Sequence, residues 1–519
     1  MCILPSFRMT RAFLDRTGFR ITIPATGFFA LGALASLGFP PFGSWPATLG
    51  SLIMLLHYAA GASSARHAAT HGWWFGFGLG CASLTWIAHA FTYQDAMPAW
   101  LGWPAVVLLA AYTGCYWALP LYLARRLAGR ARLLAFATYN ACFFVFAEWL
   151  RGVLLTGFSW NPLGIVWLPF GEVARSAATI GAIGLSGITM LIAGFAASAL
   201  RGSAWPAIVL STAAMAVTVM SAGPRAAPDT GTAISLVQGN IDQAGKWRPG
   251  TAEAQLERYR ELSGKPHATA EPRLVFWPEG AIIDTLDAEP VVRRSAGSVL
   301  GPGDLLFTGG KGRDGSEGFS NSVFVLDSTG RILARYDKAH LVPFGEYLPL
   351  SPLLSALSVT RLVPGEAAFV PGKGPETLDV GGIRVGVSIC YEITFPGAVV
   401  DRTERPAFLF NPSNDAWFGG GGPEQHLSQA RLRAIEEGLP IIRVTSTGVT
   451  AVIRSDGSIA ETLPPHQAMR LDTVLPAAGR ITPIGRWGMV FPLAAAAALL
   501  ALILVASASG SGSRTTWRA

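Results

Sequence analysis

The sequence predicts a multi-pass α-helical membrane bundle of about eight transmembrane helices joined to a globular α/β domain. Three observations predict it. Half of the 519 residues are hydrophobic and only 14% are charged, against roughly a quarter charged in ordinary soluble domains. Apolar stretches of about 17–25 residues, long enough to cross a bilayer, recur along the chain. The acidic residues crowd into the region from 228 to 474.

The apolar stretches fall near 21–39, 45–61, 72–91, 99–123, 133–150, 177–200, 204–222 and 488–507. Gly-Phe-Pro-Pro-Phe-Gly at 38–43 reads as a tight turn between the first two. The second and fifth are short for a full crossing. No small-residue cleavage site closes the first cleanly, so it reads as a retained span rather than a cleaved leader. This divides the chain into residues 1–227, a bundle of about seven helices, a globular domain at 228–474, and a last helix with a short tail at 475–519.

Basic residues orient the spans, because cytoplasmic connections carry an excess of Lys and Arg. Arg8, Arg11, Arg16 and Arg20 precede the first span. Arg66, then Arg125, Arg126, Arg130 and Arg132, then Arg201 occupy alternate connections, and Arg514 and Arg518 lie in the tail. The connections at 40–44 and 92–98 carry none. Both termini are therefore expected in the cytoplasm and the 228–474 domain on the opposite side. Arg151, Arg175, Arg480 and Arg486 run against the pattern. The net charge of +7 is scattered around apolar segments rather than gathered into a patch, which argues against a nucleic-acid partner.

The five cysteines are Cys2, Cys81, Cys115, Cys142 and Cys390. None share CxxC spacing, so neither a zinc site nor a disulfide framework is indicated. No metal or organic cofactor is expected. Cys390 alone lies in the polar domain.

In that domain Ile234–Val237, Leu274–Trp277, Ser322–Leu326, Val385–Ile389 and Ala407–Phe410 are short β-rich runs bounded by polar residues or Gly. Residues 251–263 and 424–438 have helical spacing between them. Three polar side chains sit where these buried runs end: Glu279 after Leu274-Val-Phe-Trp-Pro278, Lys338 in Arg335-Tyr-Asp-Lys-Ala-His340, and Cys390 after Val385-Gly-Val-Ser-Ile389. Active groups of α/β sheets gather at strand ends. A thiol becomes a good nucleophile when a base takes its proton. A poorly solvated carboxylate suits that task, and an ammonium beside both stabilises an oxyanion. Taken singly, each residue has an ordinary reading: a surface turn, a solvated charge, a packed thiol.

The segments Trp277-Pro-Glu279, Tyr336-Asp-Lys338, His340-Leu-Val-Pro-Phe-Gly-Glu346 and Ile389-Cys-Tyr-Glu392 resemble the signatures of the nitrilase, or carbon-nitrogen hydrolase, superfamily. More narrowly they resemble the bacterial apolipoprotein N-acyltransferase family. Further matches are Val237-Gln-Gly-Asn-Ile241 with Trp247, Asn414-Asp-Ala-Trp-Phe-Gly419, Gln425-His426 followed by Ala430-Arg-Leu-Arg-Ala434, and, among the apolar segments, Glu148-Trp-Leu-Arg-Gly152 and Thr156-Gly-Phe-Ser-Trp160. The resemblance runs from about residue 25 to 507. Departures are small: Ser159 stands where many relatives have proline, Gly280 where Thr or Ser is common, and Gly419–Gly422 lengthens a flexible loop.

The resemblance implies a nitrilase-like αββα sandwich with Glu279 as general base, Lys338 as oxyanion stabiliser and Cys390 as nucleophile. It also singles out Glu346, Tyr391, Glu392 and Trp247 as supporting or substrate-binding residues. For Trp247, a core aromatic and a lipid contact both remain open. Asn414 and Asp415 read as loop-forming residues, Arg431 and Arg433 as a solvated helix face, and Glu148 with Arg151 as a helix-end ion pair. Leu348–Leu362 reads either as a lid dipping into lipid or as a packed core segment.

The implied reaction moves an acyl chain from a phospholipid, commonly phosphatidylethanolamine, through a Cys390 thioester to the α-amine of an S-diacylglyceryl cysteine on an apolipoprotein. It implies a monomer in the bacterial inner membrane with a periplasmic catalytic domain. The alternative is a membrane-anchored amidase that hydrolyses a small periplasmic amide.

Overall fold

The computed structural model describes residues 23–93, 97–128, 133–220, 222–246, 248, 250–266, 272–314, 318–352, 361–362 and 369–509. Trp247, the 353–360 part of the expected lid, and Arg8, Arg11, Arg16, Arg20, Arg130, Arg132, Arg514 and Arg518 lie outside the described residues.

Each apolar stretch forms a helix: α1 (Ala25–Ala35), α2 (Trp45–Ala60), α3 (Ala65–Ser83), α4 (Gly102–Ala128), α5 (Leu133–Val153), α6 (Ala177–Leu200) and α7 (Ala204–Met220), with the last near the C-terminus. Three of them, α4 with the turn before it, α5 and α6, are long and apolar enough to cross a membrane by length and composition. The third stretch begins seven residues before the apolar run does. The Ser64 side chain accepts a hydrogen bond from His67 N at 3.2 Å and caps α3 there. The helix ends at Ser83, and 86–90 forms a separate short turn.

Small residues decide how closely these helices pack. Gly72, Gly76 and Gly80 make a stripe on α3 facing α4. A Cβ on them would lie 2.5 Å from Trp117 O, 2.9 Å from Gly114 Cα and 2.8 Å from Ala110 Cα. Backbones approach to this degree only where side chains are absent, the small-xxx-small rule of helices without a hydrophobic drive to associate.

Two of the basic residues on the alternate connections meet at one end of the bundle. Arg125 donates to Ala62 O through Nε (3.2 Å) and Nη2 (3.0 Å), and Arg201 Nε donates to His57 O at 3.0 Å. Arg151, which runs against the charge pattern, is engaged elsewhere: its Nη1 donates to Trp160 O at 2.8 Å, and Glu148 lies 3.8 Å away as expected.

Residues 229–476 supply two six-stranded sheets. The strands are β1 (Asp229–Gln238), β2 (Leu274–Phe276), β3 (Leu305–Asp314), β4 (Gly318–Leu326), β5 (Ile332–Asp337), β6 (Thr377–Val380), β7 (Ile383–Val387), β8 (Phe408–Ser413), β9 (Ile441–Thr445), β10 (Ala451–Ile453), β11 (Ile459–Thr462) and β12 (Met469–Pro476). One sheet has the order β12-β1-β2-β3-β4-β5 and the other β11-β10-β9-β8-β7-β6. The central strands β1-β2-β3 and β7-β8-β9 are parallel, and β12 returns antiparallel to β1.

Alternation along each strand builds the layers. Leu274, Phe276, Phe408, Phe410, Ile442 and Val444 point between the sheets. Val275 faces outward with Leu256 and Tyr259 of α8 (Thr251–Ser263) and with Ala296 of α9 (Pro290–Gly297). Leu409 and Ile441 face outward to Ala430 and Ala434 of α10 (Gly422–Glu437), and the chain closes with α11 (Val490–Ser509). The result is the αββα sandwich. Phe276 sits at its centre, 4.9 Å from Phe307 and 5.0 Å from Phe410 between ring centroids. Truncating it leaves a cavity that neither rigid sheet can fill. Phe276→Ala should cost about 3–5 kcal/mol in denaturant titrations of the detergent-solubilised protein, and a loss below about 1 kcal/mol would contradict this packing.

Candidate active site

The three parallel-strand residues that matter most emerge at C-terminal strand ends. Glu279 follows β2, Cys390 follows β7, and Asn414 follows β8, so the parallel order of the strands brings them to one edge of the sandwich. Lys338 directly follows β5, where the antiparallel pairing of β4 and β5 sets Asn321 opposite it, and Lys338 N donates to Asn321 O at 2.8 Å.

Lys338 is 1% exposed. Its ammonium lies 3.3 Å from Glu279 Oε1 and 3.0 Å from Glu346 Oε1. Asn321 Nδ2 donates to the same two oxygens, at 2.7 and 2.8 Å. Glu346 Oε2 accepts from Val342 N at 2.8 Å, which ties the loop after Lys338 to this cluster. On the far side of Glu279, Oε2 accepts from Asn414 N at 2.8 Å.

Electrostatics follow from this geometry. Burial on its own would raise the Glu279 carboxyl, but Lys338, the Asn321 amide and Lys246 outweigh it and hold the group below its usual range. Burial likewise opposes the Lys338 charge, and Glu279 and Glu346 override it, holding the ammonium above its usual range. Burial, reinforced by the Glu279 carboxylate, pushes the Cys390 thiol well above its ordinary value, against the pull of Lys338. Glu279 and Cys390 act on each other's charge across the site. A neutral S–H therefore faces a charged acceptor, with an ammonium beside both.

Glu392 and Tyr391 act on the loops rather than on this cluster. Glu392 Oε1 accepts from Ala339 N (2.7 Å) and His340 N (3.0 Å), while Oε2 accepts from Ile389 N (2.7 Å). Tyr336 Oη donates to the same carboxylate at 3.0 Å. One side chain thus joins the residue after Lys338 to the residue before Cys390. Tyr391 Oη donates to Gly157 O at 3.0 Å, and His340 Nε2 donates to Thr156 O at 3.0 Å. Both loops are hooked to consecutive carbonyls of the segment that follows α5.

Several expectations need correcting. Asn414 and Asp415 do lie in the turn after β8, but that turn is buried within the site. Desolvating them requires partners, and they have them: Asn414 Nδ2 donates to Gln243 Oε1 at 2.8 Å, and Asp415 pairs with Arg443 at 2.6 Å. Arg433 is buried and paired with Glu436 at 3.0 Å, so α10 does not turn it to solvent. Arg431 is held as well, its Nε donating to Gly457 O at 2.8 Å. Within Leu348–Leu362, Leu350 is 74% exposed.

Two functional neighbours escaped the sequence reading. Asn321 is a lone amide in a β-rich run, and pairing the Ser322–Leu326 strand with the one before Lys338 would have found it. Lys246 is fully buried, with Nζ 3.4 Å from Glu279 O; burial brings its ammonium down to about 8 against the attraction of Glu279. Gly280 has φ of +57°, and a Cβ there would lie 2.8 Å from this Nζ.

Comparison with known proteins agrees along most of the chain. Residues 31–195 match the apolipoprotein N-acyltransferase N-terminal domain and residues 233–471 the carbon-nitrogen hydrolase family. The apolipoprotein N-acyltransferase of Brucella melitensis is 34% identical over 482 residues, covering 87% of this chain and 90% of that one. That of Allorhizobium ampelinum is 35% identical, covering 83% and 85%. The Caulobacter vibrioides protein is 35% identical over 495 residues, covering 91% and 92%. With both halves matched in order and at this identity, the chain belongs to the apolipoprotein N-acyltransferase family.

Proposed function

We propose that the protein N-acylates lipoproteins: it moves an acyl chain from a phospholipid to the α-amine of an S-diacylglyceryl cysteine through a thioester on Cys390. The observation that carries this reading is a buried cluster of Cys390, Glu279 and Lys338, with the ammonium 3.3 Å from the Glu279 carboxylate. Cys390 Sγ attacks the ester carbonyl while its proton passes to Glu279. Two N–H bonds of the Lys338 ammonium are directed to carboxylates, which leaves the third for the tetrahedral oxyanion. Collapse breaks the ester C–O bond, and the departing alkoxide takes the proton from Glu279, releasing a lysophospholipid. The acceptor amine then attacks the thioester and gives a proton to Glu279, which returns it to the leaving sulfur.

Supporting this substrate class are apolar side chains exposed around the same end of the molecule. Trp100 and Trp103 flank the start of α4, Leu155 precedes the Thr156–Gly157 hook, and Phe344 lies two residues from Glu346. Both substrates are lipids, and withdrawing a chain into water costs about 0.8 kcal/mol per CH₂. A site resting on the bilayer avoids most of that cost. The eight helices from the apolar stretches are read as eight crossings, with 1–227 as the bundle, 228–474 as the periplasmic catalytic domain and 475–519 as the last span and tail. The Arg125 and Arg201 contacts support a cytoplasmic end opposite that domain. The acyl donor is read as phosphatidylethanolamine, the protein as a monomer of the inner membrane. Trp247 remains a candidate contact for the acyl chain. The amidase alternative is not favoured, since a small soluble amide gives no use to the matched N-terminal domain.

Intact-mass analysis after incubation with phosphatidylethanolamine vesicles should show one acyl chain added to the wild type and none to Cys390→Ala. An acylated alanine variant would refute the nucleophile. The protonation pattern adds a second test. Raised above the ordinary value of about 8.5, the thiol stays neutral at lower pH. Thiolate absorbance, taken as wild type minus Cys390→Ala, should therefore be absent at about pH 7. Glu279→Gln removes the adjacent negative charge, so the thiolate should appear at lower pH than in the wild type even though acylation is lost. A thiolate already present at about pH 7 in the wild type would point instead to a resting Cys390–Lys338 ion pair.

A further inference from the structure

Behind the reactive sulfur lies a second buried cluster that the reaction above does not use. Cys390 has φ of +50°, a left-handed backbone that a residue with a Cβ adopts only when its surroundings impose it. Its carbonyl oxygen is 3.0 Å from His426 Nε2. A carbonyl only accepts, so Nε2 carries a proton whatever the state of Nδ1. On the other side of the ring, Nδ1 is 3.0 Å from Asp415 Oδ1 and 3.1 Å from Arg443 Nη2. Arg443 Nη2 also donates to Asp415 Oδ2 at 2.6 Å, and Nη1 donates to Asn411 Oδ1 at 2.5 Å and Ser413 Oγ at 3.0 Å. His426, Asp415 and Arg443 are all withdrawn from solvent. The ring is further fixed by Trp160 and Phe418, with centroids 5.4 and 5.5 Å away.

We infer that His426 is a positioning residue for the nucleophile: its Nε2–H, oriented by Asp415 and Arg443, holds the Cys390 carbonyl and with it the left-handed backbone that aims the sulfur at Glu279 and Lys338. This rests on the reading of Cys390 as nucleophile. Trp160 gives the arrangement a second consequence. Its Nε1 donates to Gln425 Oε1 at 2.8 Å, and Asn161 Nδ2 donates to the same oxygen at 2.9 Å. The segment after α5 therefore grips the start of α10 at the residue next to His426. Through that contact the membrane part reaches the back of the thiol.

The test compares two substitutions of similar polarity and different reach in the full-length protein in detergent micelles. His426→Gln can place an N–H where Nε2 was; His426→Asn can place one only near Nδ1. A misplaced nucleophile should slow acyl-enzyme formation about 100-fold in the Asn variant, with KM for phosphatidylethanolamine unchanged, while the Gln variant stays within about tenfold of wild type. Gly448→Ala carries the same test without touching the ring. Its new Cβ would lie 2.5 Å from Asp415 Cβ and displace the carboxylate, so acylation should slow at constant KM. Equal rates for Gln and Asn, or a wild-type rate in Gly448→Ala, would overturn the inference. Cys390→Ala, run alongside, separates this from failure of the nucleophile itself, because only that failure lets the alanine variant become acylated.

Discussion

A buried ammonium between two carboxylates organises the catalytic domain. Desolvating an isolated charge is prohibitive, and removing one member of a buried pair typically costs 3–5 kcal/mol. Lys338 can be buried only because Glu279 and Glu346 sit on it, and those carboxylates can be buried only because Lys338, Asn321 and backbone N–H groups answer them. Glu279 follows β2, Asn321 lies within β4, and Lys338 and Glu346 share the loop after β5. Glu279 gains its partner from the second sheet, Asn414 N, only when the sandwich closes, so the cluster is complete only in the folded domain.

The bundle is joined to this cluster by hydrogen bonds to the loops that carry Lys338 and Cys390. Tyr391 and His340, each within two residues of Cys390 or Lys338, donate to Gly157 and Thr156. Ala182 N, just after the break in α6 at Gly181, donates to Glu436 Oε1 at 2.5 Å. A catalytic domain tethered only by flexible linkers would need none of these contacts. Here the lipid-facing part sets the backbone from which the reactive groups project.

Much of this was legible in the amino-acid sequence, for identifiable reasons. Runs such as Leu274–Phe276 and Phe408–Phe410 alternate inner and outer faces, and both became central strands. Glu279, Lys338 and Cys390 each close a buried run, which has ordinary structural readings, and the resemblance to the nitrilase signatures set them apart. The start of α3 was missed because a capping serine extends a helix into polar residues that hydropathy leaves out. Asp415, Arg433 and His426 were misread or passed over because sequence position does not reveal burial. A charged residue on a helix reads as solvated until the fold is seen to bury it with its partner, as Arg433 is with Glu436. A loop aspartate reads as a turn until a strand residue such as Arg443 is seen to pair with it.

The return of β12 beside β1 has one more consequence. Asp229 and Pro476 are paired across the two strands, so the points where the chain enters and leaves the sandwich are neighbours. The sandwich is thus an insertion on a double stem, with α7 leading into it and α11 leading away. The stem is the covalent attachment; the loops that carry Lys338 and Cys390 and the start of α10 meet the helical part elsewhere. Loops that touch no helix can change length without moving either the stem or those contacts.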